Sequence, residues 1–190
     1  MERIYPTRDK IEESLAIKRL DNHIERYQII KRYCYGSVLD IACGVGYGSY
    51  LLQNNPDIEM IVGVDLDQES IDYANQEYKT DKTFFEKCSI NDYKAKHNVL
   101  VSLETIEHIE DLNAYRDMIY RVDPELVILS FPNKKSTHFN KYHKHDLNSQ
   151  QIVTLLQKYI LVKQLYQHDI TIMIFVQKPK KMPNIFDTIV

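Results

Sequence analysis

The sequence predicts an α/β chain built on a doubly wound, seven-stranded sheet that is mostly parallel and ends in a C-terminal antiparallel hairpin. Strand-like runs of Val, Ile and Leu alternate with helix-like segments almost to the end of the chain. Several of these runs are continuously apolar, as parallel strands buried on both faces require. The last two are separated by only a few residues around His168 and Asp169, too few for a crossover, so they must form a hairpin.

A helical segment over Lys10–Tyr33 precedes the first strand, Ser37–Ala42, and a short helix over Tyr47–Gln53 follows it. The second strand, Met60–Leu66, leads into a helix over Gln68–Tyr78, for which Asp67 is the expected N-cap. Strands over Thr83–Cys88 and Asn98–Leu103 come next, then a helix over Leu112–Arg121 capped by Asp111, and a fifth strand, Glu125–Phe131. The last helix starts at Asn148 or Ser149 and places Ile152, Leu155, Leu156 and Tyr159 on one face. Leu161–Gln167 and Thr171–Gln177 complete the sheet. This alternation is a Rossmann-like βαβ arrangement with helices on both faces.

At 190 residues and 22.5 kDa the chain suits one domain over 1–190, with 1–35 as a helical cover and 179–190 as a tail. No apolar run is long enough to span a bilayer and none follows a basic start, so no membrane association and a cytoplasmic location are expected. Cys34, Cys43 and Cys88 form no CxxC pair and are read as reduced thiols. A net charge of −3 argues against strong non-specific nucleic-acid binding, which rests on phosphate neutralisation by Lys and Arg.

After the first strand the chain reads Asp40-Ile-Ala-Cys-Gly44-Val-Gly46-Tyr-Gly48. Glycines let the backbone approach a ligand and adopt positive φ, and they aim backbone N–H groups at it. A phosphate would be repelled by Asp40, and no P-loop lysine follows; a cationic ligand would be attracted. The second strand ends in Asp65, where α/β nucleotide sites place the carboxylate that binds ribose hydroxyls; helix capping is the structural alternative for that residue.

On these residues the chain resembles the class I S-adenosylmethionine-dependent methyltransferase superfamily, and within it a bacterial and phage group associated with glycan modification. The likeness rests on His23-Ile-Glu-Arg26-Tyr27, on the loop from Val38 through Ser49, on the ExxEH segment Glu104–His108 and on Asn140-Lys-Tyr142-His143, and spans Asp21 to Gln177. It implies S-adenosyl-L-methionine as cofactor. It also implies a binding set of Arg26, Tyr27, Asp40, Ala42, Gly44, Gly46, Asp65, Leu66, Ser89, Ile90 and Leu103. Asp40, Gly44 and Gly46 would meet the methionine part, and Asp65 with Leu66 the ribose and adenine. Arg26 would pair with the cofactor carboxylate or stand solvated on its helix. At Ser89 the group usually carries an acid for the adenine amino group; Asp92 is the nearest substitute.

Glu104, Glu107 and His108 stand at i, i+3 and i+4 and would share one face of a helical turn at the carboxyl edge of the sheet. With His143 from the loop after the fifth strand, they form a candidate acceptor site. Three readings stand side by side: Glu104, Glu107, His108 and His143 hold a divalent metal of the Mg or Mn type; His108, with Glu104 and His143, serves as proton acceptor for a hydroxyl; or the cluster only orients the cofactor pocket. Ubiquinone-type O-methyltransferases share the ExxEH segment. Enzymes that methylate the terminal 2′-hydroxyl of small RNAs add a downstream histidine and use the set to hold a metal.

Lys134, Lys135, Lys141 and Lys144 make the same loop locally basic, as a solvated surface or as a strip for an anionic acceptor. The chain lacks the Asn/Asp-Pro-Pro-Tyr motif of amino-methylating enzymes and a cysteine for carbon methylation after the fourth strand. The expected activity is O-methylation of a sugar, glycan or other small polar acceptor. The alternatives are metal-assisted RNA 2′-O-methylation and a non-catalytic cofactor-binding partner subunit.

Overall fold

The computed structural model describes residues 5–16 and 22–179. The order of elements is α1 (Arg8–Ala16), α2 (Asn22–Lys31), β1 (Gly36–Ile41), α3 (Tyr47–Leu52), β2 (Ile58–Asp65), α4 (Gln68–Glu77), β3 (Thr83–Lys87) and β4 (Val99–Ser102). A 3₁₀ turn (Ile106–His108), α5 (Leu112–Val122), β5 (Leu126–Pro132), α6 (Ser149–Leu155), β6 (Tyr159–Gln167) and β7 (Ile170–Gln177) follow. The expected Lys10–Tyr33 helix corresponds to α1 and α2; residues 17–21 between them, and 180–190 of the expected tail, lie outside the described residues.

The seven strands lie in the order β3-β2-β1-β4-β5-β7-β6. β1 to β5 are parallel, and β7 runs antiparallel to both β5 and β6, as the hairpin predicted. Alternate strand residues point to opposite faces, and both faces are buried. Val38, Ile128 and Ile174 join a core with Ile24 and Ile30 of α2, Leu51 of α3 and Ile71 of α4. Their neighbours Leu39, Val127 and Met173 join a second core with Tyr115, Met118 and Ile119 of α5 and Ile152 of α6.

The helix starts follow local chemistry. Asp67 accepts from the Ser70 amide, Asp111 from the amides of Asn113 and Ala114, and Asn148 forms a reciprocal capping box with Gln151. The end of α6 differs from expectation. Leu156 leaves the helical region at φ −98° and ψ 50°, and Tyr159 opens β6 rather than extending the helical face. Ile152 and Leu156 still reach the core, and Tyr159 reaches it from the sheet. Among the described residues, no helix is long and apolar enough to cross a membrane.

Candidate active site

β1 lies between β2 and β4, so the loop after it opens at the middle of the sheet's carboxyl edge. Ala42, Gly44 and Gly46 all take positive φ there, at 57°, 56° and 90°. A Cβ at Gly44 would meet nothing within 4 Å, so its open side is free to receive a ligand. A Cβ at Gly48 would lie 2.1 Å from the Tyr27 ring, so that glycine exists to let α2 press Tyr27 onto the loop.

Asp40 sits beneath the loop with no exposed surface. It accepts hydrogen bonds from Ser49 Oγ at 2.7 Å and from the Tyr27 hydroxyl at 3.3 and 3.2 Å. Burial pushes its pKa up to about 7 against those two bonds, and the nearby Asp65 charge adds to the rise. The Tyr27 hydroxyl is itself driven well above its usual range, first by burial and then by the Asp40 charge.

Asp65 does not cap α4; Asp67 does. The Asp65 carboxylate accepts from the amides of Gly44 and Asp67 at 3.0 and 2.9 Å, tying the glycine loop to the end of β2. Leu66 beside it is 65% exposed, an apolar surface next to a fixed carboxylate. Ser89 and Ile90 are half-buried after β3, and Ser89 Oγ donates to Asp92 at 2.7 Å, which brings a carboxylate to that position. Leu103 is buried at the end of β4. An open glycine face, a buried acid and an apolar rim beside a second acid suit a cationic ligand that also carries a diol and a flat ring.

Arg26 is 3% exposed and is therefore not a solvated helix residue. Its Nε donates to Gln167 Oε1 at 3.0 Å, and Gln167 in turn donates to the Asn22 carbonyl and to Glu25. The Arg26 charge lowers the pKa of Glu104 and Glu107, while burial, the larger effect, raises both. Gln167 and Ser136 were not among the expected site residues. Gln167 lies at the end of an edge strand, 141 positions from its arginine, and no local pattern marks it.

The ExxEH segment is not one helical face. Glu104 takes a left-handed φ of 50°, and the 3₁₀ turn begins only at Ile106. The kink sends Glu104 to β5, where its amide and Oε1 both bond Ser130 Oγ at 3.0 Å. Glu104 is thus parted from the imidazoles, whereas ligand atoms of Glu107, His108 and His143 lie within 4.8 Å of one another.

Glu107 is 2% exposed, and among the described residues neither carboxylate oxygen has a hydrogen-bond partner. Burial, and then the Glu104 charge, raise its pKa to about 8. The rings of His108 and His143 meet edge to face at 4.7 Å. His108 Nδ1 lies 3.1 Å from the Tyr142 carbonyl, which can only accept, so Nδ1 carries the proton and Nε2 presents its lone pair. His143 Nδ1 is engaged by Ser136 Oγ at 2.6 Å, so Nε2 is its remaining ring nitrogen. Burial, followed by the His108 charge, lowers the His143 pKa and favours its neutral form.

Residues 36–187 match the model of the methyltransferase-domain family. The chain belongs to that family. It is an S-adenosylmethionine-dependent methyltransferase, an enzyme rather than a binding module alone. No curated protein matches the chain by sequence.

Solved structures share the fold at low identity. The methyltransferase domain of bacterial CtHen1 aligns with a TM-score of 0.65 and 18% identity, covering 83% of this chain and 99% of that one. Magnesium protoporphyrin IX methyltransferase from Synechocystis PCC 6803, with bound S-adenosylhomocysteine, gives 0.70 and 17%, covering 83% and 84%. The N-methyltransferase NodS from Bradyrhizobium japonicum WM9 gives 0.65 and 15%, covering 82% and 96%. Within this methyltransferase, the glycine loop and Asp65 occupy the edge where such sheets take their ligands.

Proposed function

We propose that this methyltransferase transfers the methyl group to a hydroxyl oxygen of a sugar or another small polar acceptor, with Glu107, His108 and His143 on the acceptor side. The observation that carries the reading is the buried Glu107 carboxyl, without a partner among the described residues and within 4.8 Å of two imidazoles whose Nδ1 atoms are already engaged. Buried polar groups are otherwise almost always satisfied, so this one points to a group received from outside.

Methyl transfer from a sulfonium forms the O–C bond as the C–S bond breaks, and the acceptor's proton must leave. The protein's part is alignment and proton removal. His108 Nε2 takes that proton, because Tyr142 holds the ring as the Nδ1–H tautomer. Glu107 stabilises the imidazolium that results, since that positive charge favours its ionised form, and the Arg26 charge acts on Glu107 and Glu104 in the same direction. Gly44, Asp40, Asp65, Leu66 and the Ser89–Asp92 pair line the donor side. Labelled S-adenosylmethionine incubated with fractionated extract tests the reading: label in an alkali-stable ether on a sugar or other hydroxyl is expected, and label on nitrogen or carbon overturns it.

The same three side chains support a second reading, metal-assisted methylation of an RNA 2′-hydroxyl. Glu107 Oε and the two Nε2 atoms would hold the ion, which would supply Lewis-acid activation of the acceptor oxygen. Hydrogen bonds to both Nδ1 atoms fix the rings as metal-ligating histidines require. Two imidazoles with one carboxylate favour Mn over Mg, whose ligands are chiefly oxygens. Glu104, pinned to Ser130, is outside this set. Thermal unfolding with manganese and with chelator decides: a rise in Tm with manganese that Glu107→Gln abolishes supports the ion, and full activity in chelator removes it.

A further inference from the structure

The loop after β5 carries the site's histidine and something else besides. Two aromatic rings stand in solvent on it, Phe139 at 71% and Tyr142 at 46% exposure. The loop is nonetheless tightly braced. Asp146 accepts from the amides of Ser136 and Thr137 and from Thr137 Oγ1. The amides of Phe139 and Asn140 donate to the Ser136 carbonyl, and the Lys144 amide donates to the Glu107 carbonyl at 2.7 Å. A loop held this firmly presents its two rings in place.

Charge follows the same division. Lys134 pairs with Asp169 at 2.7 Å and Lys144 with Glu110 at 3.2 Å. Lys135 and Lys141 make no ion pair among the described residues, and Lys141 Nζ lies 5.1 Å from the Tyr142 ring centre. Rings for stacking and unpaired ammonium groups alternate along one short loop, next to the acceptor-side histidine. A neutral sugar has no use for the two cations, and a plain phosphate has none for the rings. A group that carries a flat ring and a phosphate on either side of a ribose uses both.

We infer that the acceptor is a nucleoside phosphate. Its base stacks on Phe139 and Tyr142, its phosphate pairs with Lys135 and Lys141, and its ribose is brought toward His108 and His143. This rests on the hydroxyl-acceptor reading above and narrows it to one substrate class. A free nucleotide, including a nucleotide sugar, and the end of an RNA strand share this chemistry.

The test is equilibrium binding to the full chain in the presence of S-adenosylhomocysteine, with uridine monophosphate, uridine and ribose 5-phosphate as probes. Uridine monophosphate is expected to bind about tenfold more tightly than either fragment. Phe139→Ala and Tyr142→Ala should each weaken it roughly tenfold while leaving ribose 5-phosphate unchanged. Lys135→Glu with Lys141→Glu should weaken it and leave uridine unchanged. Equal binding of uridine monophosphate and ribose 5-phosphate, or ring variants without effect on it, overturns the inference.

Comparing hexauridylate with UDP-glucose assigns the source: tighter, steeply salt-dependent binding of hexauridylate indicates a strand end, and equal affinity indicates a free nucleotide. Binding needs no turnover, so the two readings fail separately. Nucleotide binding without methyl transfer to any hydroxyl removes the O-methylation reading. Methylation of another hydroxyl acceptor without nucleotide binding removes this one.

Discussion

Around the glycine loop each carboxylate is held by groups close to it in the chain. Asp40 is bonded by Ser49, nine residues on, and Asp65 by Gly44 and Asp67. Across the same sheet edge, Glu107 is also buried and has no hydrogen-bond partner among the described residues; His108 beside it is oriented by the Tyr142 carbonyl, 34 residues on, and His143 by Ser136 within its own loop. The donor side is a preformed cradle that a ligand completes at its open face. The acceptor side holds a buried acid whose oxygens lack a partner among the described residues and which an incoming group can engage. A site organised in this way should separate cleanly under mutation, with binding lost on one side and chemistry on the other.

The largest effect expected is from Glu107→Gln. It keeps the volume and removes the acid that ionises to stabilise an imidazolium or hold a cation, so methyl transfer should fall by roughly 10²–10⁴-fold. Cofactor affinity, measured by calorimetry on the same protein, should stay within about threefold, because Asp40 and Asp65 take their hydrogen bonds from Ser49, Tyr27, Gly44 and Asp67. A parallel loss of cofactor binding would mean that the two sides are one unit.

Asp65→Ala is the reciprocal experiment. It removes the carboxylate proposed to meet the ribose and leaves the amides of Gly44 and Asp67 without their acceptor. Hydrogen bonds to a charged group are each worth about 1.5–3 kcal/mol, so cofactor affinity should fall roughly 10–100-fold. The turnover number at saturating cofactor should change far less. A variant that binds cofactor normally but turns over slowly would contradict the assignment of Asp65 to the donor side.

The same contrast explains what the sequence made legible. The seven strands, the C-terminal hairpin and the caps at Asp67, Asp111 and Asn148 follow from period and local chemistry, and the structure has them. The glycine loop was legible for the same reason, since apart from Tyr27 of α2 its partners Ser49 and Asp65 lie within one βαβ unit. The ExxEH segment was not. Helical spacing placed Glu104 beside His108, but a left-handed residue with no glycine to announce it turned Glu104 toward Ser130. The Arg26–Gln167 bond and the Tyr142 carbonyl on His108 join elements that only the finished sheet brings together. Tyr159 misled by being apolar at a spacing that fits both the end of α6 and the start of β6.

The pH dependence sharpens the donor side further. Asp40 ionises at about 7 in the folded protein, against its ordinary value of 3.8. The native state therefore holds a proton that the unfolded chain has lost between those values, so this stabilisation is complete below about pH 4 and disappears as pH rises through 7. A cationic ligand favours the ionised form, so cofactor affinity should climb over the same approach to pH 7 while stability without ligand declines. Asp40→Asn should flatten both curves. Thermal unfolding and cofactor titration between pH 5 and 8.5 measure them, and a variant whose profiles track the original would assign the dependence to another group.

The smallest effect expected is at Asp92, and it tests how the donor side manages without an acid at position 89. Ser89 Oγ spends its one proton on Asp92 and keeps only a neutral oxygen as acceptor, weaker toward an adenine amino group than a carboxylate. The exposed Asp92 carboxylate keeps acceptor capacity beyond that one bond. Asp92→Ala should therefore weaken cofactor binding by about fivefold, the worth of one exposed hydrogen bond of roughly 1 kcal/mol. Ser89→Ala should also weaken it, since Asp92 loses the group that positions it. The double variant should cost no more than Asp92→Ala alone, because removing a support matters only while the supported carboxylate is present. Additive losses would mean that Ser89 meets the adenine on its own, and the acid would then be missing in fact as well as in sequence.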